Sequence, residues 1–285
     1  MLPEFELLLP QTLSDALRFL TERGNDIFPI AGGTNLIIDM RAGKSTPKAL
    51  MNINRMPGIS EIHRSNGTIT IGGATTISDI LHSPIVTDAG GSLHEATCVF
   101  ASPLVRNRAT VGGNLSDGSP AADTAPSLLV LDAEVELSSS NGTRILPLND
   151  YFVGVRKTKR NPNELLTAVR WNAPSMDAKS AFFKLGLRKA DAISVVSAAV
   201  FVDKNPDGTC KKARIALGSV APCPLRVYNA EEYLVGKPLD DRNIDQAAKL
   251  SAQACSPISD VRASAGYRQR MVEVLVCRLL KKVSQ

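Results

Sequence analysis

Two double-glycine segments, Ala31-Gly32-Gly33-Thr34-Asn35 and Thr110-Val111-Gly112-Gly113-Asn114, constrain this chain more than any other feature. Each follows a short β-branched run and ends in a hydrogen-bonding Thr or Asn. Adjacent glycines let the backbone take positive φ and approach a ligand closely. Successive exposed N–H groups in such a turn form a concavity suited to phosphate. A single pair reads more readily as a tight turn, and Gly72-Gly73, closing the alternating run Thr68-Ile69-Thr70-Ile71, reads as that. Two ligand-type pairs, eighty residues apart, suggest two loops closing on one diphosphate. Neither loop fits the G-x-G-x-x-G spacing or the P-loop pattern, so neither a Rossmann dinucleotide site nor a P-loop NTPase is supported.

The 285 residues suffice for a substantial core, in one large domain or two. With 44% hydrophobic and 21% charged residues, the composition is that of an ordinary globular protein. No run reaches the length of a membrane span, and the start Met1-Leu2-Pro3-Glu4 lacks the pattern of a signal peptide. The expected location is therefore the cytoplasm. The net charge of +5 is scattered, and its densest cluster, Arg156, Lys157, Lys159 and Arg160, reads as a solvated loop. Aromatic residues, at 5%, give little support to a nucleic-acid surface. Cys98, Cys210, Cys223, Cys255 and Cys277 lack metal-ligand spacing and read as buried thiols. His63, His82 and His94 are scattered and join no catalytic constellation.

Apolar periodicity divides the chain into a small α/β unit over about 1–55, a second unit over 56–175, and an α+β unit over 176–285. In the first unit Thr12 caps a helix through Leu13, Ala16, Leu17 and Leu20 that Gly24 ends. Strands follow at 27–31 and 49–53, with a short helix through Leu36, Ile37 and Met40 between them. In the second unit an Asn66-Gly67 turn opens a strand around Ile69 and Ile71. Helices are expected at 77–81 and 93–100, a hairpin at 133–137 and 144–148, and a strand at 165–171. The break at Asn172-Ala173-Pro174-Ser175 leads to strands at 181–188, 193–203 and 211–217, forming a three-stranded antiparallel sheet. Helices at 229–235, 244–254 and 263–282 back it.

Several of these stretches resemble the FAD-binding medium subunit of the molybdenum hydroxylases, the family of xanthine dehydrogenase and aerobic carbon monoxide dehydrogenase. They are Ala31-Gly32-Gly33-Thr34-Asn35-Leu36, then Ala101-Ser102-Pro103-Leu104-Val105-Arg106-Asn107-Arg108-Ala109-Thr110-Val111-Gly112-Gly113-Asn114-Leu115. Asp117-Gly118-Ser119-Pro120-Ala121-Ala122-Asp123 follows, and in the last third Lys184-Leu185-Gly186-Leu187-Arg188 and Ala216-Leu217-Gly218-Ser219-Val220-Ala221-Pro222-Cys223-Pro224. The matches keep their order from about residue 3 to the end.

The resemblance implies an α+β architecture: a two-subdomain α/β FAD-binding module over 1–175, followed by a C-terminal domain of the carbon monoxide dehydrogenase flavoprotein type over 176–285. It implies that the loop Ala31, Gly32, Gly33, Thr34, Asn35, with Leu36, and the loop Thr110, Val111, Gly112, Gly113, Asn114 wrap the FAD diphosphate. Phe100 would lie against the flavin system, and Asp123 would accept hydrogen bonds from sugar or ribityl hydroxyls. Leu166 would pack near the isoalloxazine ring, and Lys184 would stand at its polar edge. Taken singly, Phe100 and Leu166 read as core residues, Asp123 as a helix N-cap and Lys184 as a surface lysine. Some relatives place a tyrosine over the flavin where this chain has Ala192, which implies a more open ring. The cysteine-rich insertion of the hydroxybenzoyl-CoA reductase branch is absent after Asn114.

The implied function is electron transfer, without catalytic residues or a metal in this chain. A large subunit would carry a molybdenum cofactor and act on substrate. A small subunit would carry 2Fe-2S clusters, and FAD would pass their electrons to NAD+, a quinone, ferredoxin or oxygen. The implied assembly is a dimer of heterotrimers. Two other readings are a stand-alone FAD-binding module and a freestanding flavin oxidase, the latter lacking any evident catalytic set.

Overall fold

The computed structural model describes residues 2–285. The first subdomain is a parallel three-stranded sheet, with Ala49–Asn52 between Glu6–Leu8 and Ile27–Ile30. Thr12 caps the helix Leu13–Arg23 as the sequence suggests, within a capping box closed by Asp15, and Gly24 ends it at φ +51°. Ala16, Leu17 and Leu20 are buried on the sheet side. Ile27–Ile30 is an edge strand, which is where Pro29 is tolerated, because a proline has no N–H to give to a neighbour. The strand Glu6–Leu8 had no expectation from the sequence, being three residues long and mostly exposed.

The second subdomain is built on a five-stranded antiparallel sheet that runs, in spatial order, Ile62–Ser65, Thr68–Gly72, Leu165–Asn172, Glu134–Ser139 and Gly142–Pro147. Its central strand, Leu165–Asn172, is buried on both faces, and its register with Glu134–Ser139 slips between Leu166 and Ala168. Such a bulge bends a strand and re-aims its side chains. The expected helices appear as Ile77–His82 and Gly91–Cys98, with an unexpected one, Pro84–Ala89, between them. The apolar stretch after Asp123 is the helix Thr124–Val130, every residue of which is buried. Within the basic cluster Arg156, Lys157, Lys159 and Arg160, read as a solvated loop, Lys157–Thr158 pairs with Phe152–Gly154 in a two-stranded ribbon.

The C-terminal sheet has four strands rather than three. Lys179–Leu185, Val196–Lys204 and Cys210–Gly218 pair antiparallel, and the two-residue strand Leu225–Arg226 joins the last of them. Two residues show no alternation to read, which is why this strand escaped notice. The helices Tyr228–Leu234, Asp241–Gln253 and Ala265–Ser284 cover one face of the sheet. On the other face Phe182, Ala199, Phe201 and Ala216 join the core of the second subdomain. Burial on both faces explains the nearly unbroken apolar run from Val196 to Val202. The C-terminal unit is thus packed onto the rest of the molecule through a continuous core rather than tethered beside it.

Candidate functional site

A cavity of about 970 Å3 lies where the three units meet. That is the upper end of the usual range for ligand pockets, about 300–1,000 Å3. Ala31, Gly32, Gly33, Thr34, Asn35, Leu36, Phe100, Thr110, Gly112, Gly113, Asn114, Asp123, Leu166 and Lys184 all line it. Val111 does not: its side chain is wholly buried in the core behind the second glycine pair. Residues spread over 150 positions of sequence are therefore brought to one wall-to-wall site.

The two glycine segments touch. A Cβ on Gly32 would stand 1.9 Å from the Arg108 carbonyl oxygen, so only glycine lets the first loop lie on the strand of chain leading into the second. Beyond it Gly33 turns at φ +70°, and the N–H groups of Gly32, Gly33, Thr34 and Asn35 make no hydrogen bond to other described residues. Free, successive N–H groups at a left-handed turn form an anion-binding concavity.

The second segment differs from expectation. Val111–Ser116 is a short helix with Thr110 as its N-cap, and its N–H groups are taken. Val111 donates to Thr75 O, Gly112 to Gly73 O, Gly113 to Thr110 Oγ1 and Asn114 to Thr110 O, at 2.9–3.1 Å. The Asn114 side chain is engaged too, accepting from Thr124 Oγ1 at 2.6 Å. The donors foreseen in both loops are thus open in the first and used in the second. Gly112 instead permits close approach, since a Cβ there would meet Gly73 O at 2.5 Å. Gly73 itself abuts the Leu166 carbonyl, where a Cβ would come within 2.2 Å. The Gly72-Gly73 pair, read from sequence as a simple turn, is a packing joint that also lines the cavity at Gly73.

Lys184 and Asp123, also in the cavity wall, meet across the boundary of the C-terminal unit, Nζ to Oδ2 at 2.6 Å, with side chains only 5% and 10% exposed. Ser194 donates to the second carboxylate oxygen at 3.2 Å, and its hydroxyl touches that of Ser219. Burial pushes the Asp123 carboxyl above its ordinary range, opposed by the charge and hydrogen bond of Lys184 and the hydroxyl of Ser194. Asp123 makes no side-chain cap to the helix it precedes. Lys184 has the negative partner that sets it apart from a surface lysine. Phe100, 7% exposed, serves both the core and the cavity wall, and Leu166 sits beside the bulge of the central strand. Asp191, Ala192 and Ile193 form the adjoining rim.

Sequence reasoning missed one part of the site. Arg156 and Arg160, assigned to a solvated loop, line the cavity. Arg156 Nη2 donates to Asp39 Oδ2 and to Asp117 Oδ1, both at 2.7 Å. Against the cost of burial, these two carboxylates raise the guanidinium above its ordinary pKa. Arg160 donates through Nη1 to the Asn161 and Glu164 carbonyls. The signal available was weak: positive charges following a glycine segment, with their acidic partners 39 and 117 positions away.

Among the described residues no cluster of His, Cys, Asp or Glu could hold a metal ion. All five cysteines are unpaired; Cys98 is exposed, Cys210 is buried and the others are part-buried, so the expectation of buried thiols holds fully for Cys210 alone. No described helix is long and apolar enough to cross a membrane. The site offers a cleft walled by free amide donors and by a buried ion pair. Free amide donors and a buried cation suit it to an anionic ligand.

Comparison with known proteins gives this cleft a context. Residues 3–171 match the model of the FAD binding domain in molybdopterin dehydrogenase. Residues 181–283 match that of the CO dehydrogenase flavoprotein C-terminal domain. The chain is 32% identical to the carbon monoxide dehydrogenase medium chain of Hydrogenophaga pseudoflava, over 98% of this chain and 96% of that one. It is 33% identical to the glyceraldehyde dehydrogenase medium chain of Sulfolobus acidocaldarius, over 99% of each. A structure of reconstituted CO dehydrogenase from Oligotropha carboxidovorans superposes with a TM-score of 0.96 at 32% identity, covering 100% of this chain and 99% of that one.

Proposed function

The chain belongs to the FAD-binding subunits of the molybdenum hydroxylase family, and from that premise we propose that it takes electrons from iron–sulfur clusters of a partner subunit and passes them to an external acceptor. The observation that carries this reading is the cleft itself: free amide donors, glycines that a Cβ would displace, and a buried Lys–Asp pair share one cavity.

The residues present fit FAD. The loop Ala31–Asn35, with its free N–H groups, would hold the diphosphate, and the glycines of the helix Val111–Ser116 would let it approach the backbone closely. Phe100 and Leu166 would shield the ring from water, and Asp123 and Lys184 would offer an acceptor and a cation to its polar groups. FAD, once bound, accepts electrons one at a time and releases them in pairs, chemistry that belongs to the cofactor and that the protein tunes. Lys184, held by Asp123, would be the cation available to the polar groups of the ring, and Asp123 would balance its charge. A low-dielectric setting strengthens both effects.

Chemistry on the substrate falls to a large subunit with a molybdenum cofactor, and the 2Fe-2S clusters to a small one, in a dimer of heterotrimers. Relatives named for carbon monoxide and for glyceraldehyde are equally similar to this chain, which suits a subunit that does not touch substrate. NAD+, a quinone, ferredoxin and oxygen are the candidate acceptors, and Ala192 on the cavity rim leaves them room to approach. Unpaired cysteines throughout fit a reducing, cytoplasmic setting.

Gentle isolation from the native source tests this, with the flavin identified by chromatography and accompanying chains by mass spectrometry. FAD with a molybdenum chain and an iron–sulfur chain is the expected result. FAD without partners would favour a stand-alone module, and folded protein without flavin would contradict the proposal.

A further inference from the structure

The two glycine segments are joined a second time, apart from the Gly32–Arg108 contact. Asp39 lies on the helix Leu36–Arg41, which leaves the first glycine loop, and Asp117 directly follows the helix Val111–Ser116, which holds the second pair. A single nitrogen, Arg156 Nη2, donates to both carboxylates at 2.7 Å. We propose that Arg156 is a positioning residue for the cofactor: by bridging Asp39 and Asp117 it fixes the spacing of the two glycine segments, and FAD is retained because that spacing is held. The proposal rests on the FAD reading above and deepens it.

Three observations support the bridge as a built feature. Arg156 adopts φ +55°, a left-handed conformation costly for a residue with a side chain. Its backbone N–H donates to Gly118 O at 2.9 Å, and Gly118, at φ +62°, lies so close that a Cβ would stand 3.1 Å from the Arg156 backbone. The two aspartates are more shielded than those of an ordinary surface pair, with side chains 19% and 15% exposed. All three residues line the cavity, so the guanidinium also offsets part of the negative charge of the two carboxylates on the wall of the cleft. Without it the carboxylates would face one another across an unfilled gap and repel both each other and the ligand.

The test is the rate of FAD release from the purified holoprotein, followed by the gain in flavin fluorescence on dilution. R156A is expected to speed release by about tenfold, within the range that coupled charged groups reach. D39N should speed it too, R156K should fall between wild type and R156A, and D39N combined with R156A should be no faster than R156A alone. Raising salt should speed release from the wild type but not from R156A, where it screens repulsion instead of a bridge, a response that general loss of stability would not produce. Wild-type release rates in R156A and D39N would overturn the proposal. So would slower release in D39N beside faster release in R156A, since the guanidinium would then act on FAD directly. Should R156A fail to fold, D39N and R156K carry the same test, and wild-type release rates in both overturn it. A wild type that never holds FAD would defeat the functional reading itself; a wild type that holds it, with variants that release it no faster, would defeat the bridge alone.

Discussion

Glycine at positions 32, 73 and 112 is required by what lies opposite each one, a backbone carbonyl within 2.5 Å of any added Cβ. Gly32→Ala or Gly112→Ala must therefore push a backbone segment aside, at about 1–3 kcal/mol by analogy with overpacked cores. Denaturant unfolding should show that loss, and flavin titration a matching loss of FAD affinity, because the displaced segments form the cleft. The Lys184–Asp123 pair permits a sharper prediction. Asp123→Ala leaves a buried ammonium with only a 3.5 Å contact to the Val99 carbonyl, and breaking a buried pair in this way costs about 3–5 kcal/mol. A thermal midpoint unchanged by Asp123→Ala would mean that the pair is not buried as described. At this scale the sequence revealed the glycine pairs, because two side-chain-free positions in a row are conspicuous. It could not reveal their partners: Gly73 meets Leu166, Gly32 meets Arg108, and Arg156 meets Asp39, each far away along the chain.

The helix Thr124–Val130 shows how an element can couple the site to the rest of the molecule. Asp123 at its start binds Lys184, while at its end Arg226 and Arg214 of the C-terminal sheet reach the Leu129 and Val130 carbonyls. Cations at a helix C-terminus are favoured by the exposed carbonyl groups there. Both arginines also pair with Asp132. Burial works to raise the Asp132 pKa, but the Arg226 hydrogen bond and the charges of Arg214, Arg226 and Lys212 outweigh it and hold it below the ordinary 3.8. A depressed carboxyl pKa favours the folded state above its unfolded value and loses that contribution as pH falls through the lower folded value. Acid unfolding should therefore steepen below about pH 3.8, and Asp132→Asn should flatten that limb of the stability profile. The short helix Val111–Ser116 was illegible in sequence because two glycines oppose helix formation. The Thr110 cap and the Gly112–Gly73 contact override that preference, and Thr110→Ala should cost about 1 kcal/mol.

The fold of the whole molecule was largely legible, because long amphipathic helices and alternating strands carry strong periodic signals. Leu13–Arg23, Asp241–Gln253 and Ala265–Ser284 fall within a few residues of their expected limits. What escaped were the pieces too short to show a period, Glu6–Leu8 and Leu225–Arg226, and the sharing of one core between the second subdomain and the C-terminal sheet. That sharing makes the cleft a property of all three units: the first lends free amides, the second its close-packed glycines and Asp123, the third Lys184. The central claim is that this cleft holds FAD, and titrating the flavin-free protein with FAD while following flavin fluorescence and visible absorption tests it most directly. Saturation at a single FAD per chain is expected, with Gly112→Ala and Asp123→Ala binding more weakly. A folded chain that leaves the flavin spectrum unchanged at every concentration would contradict it.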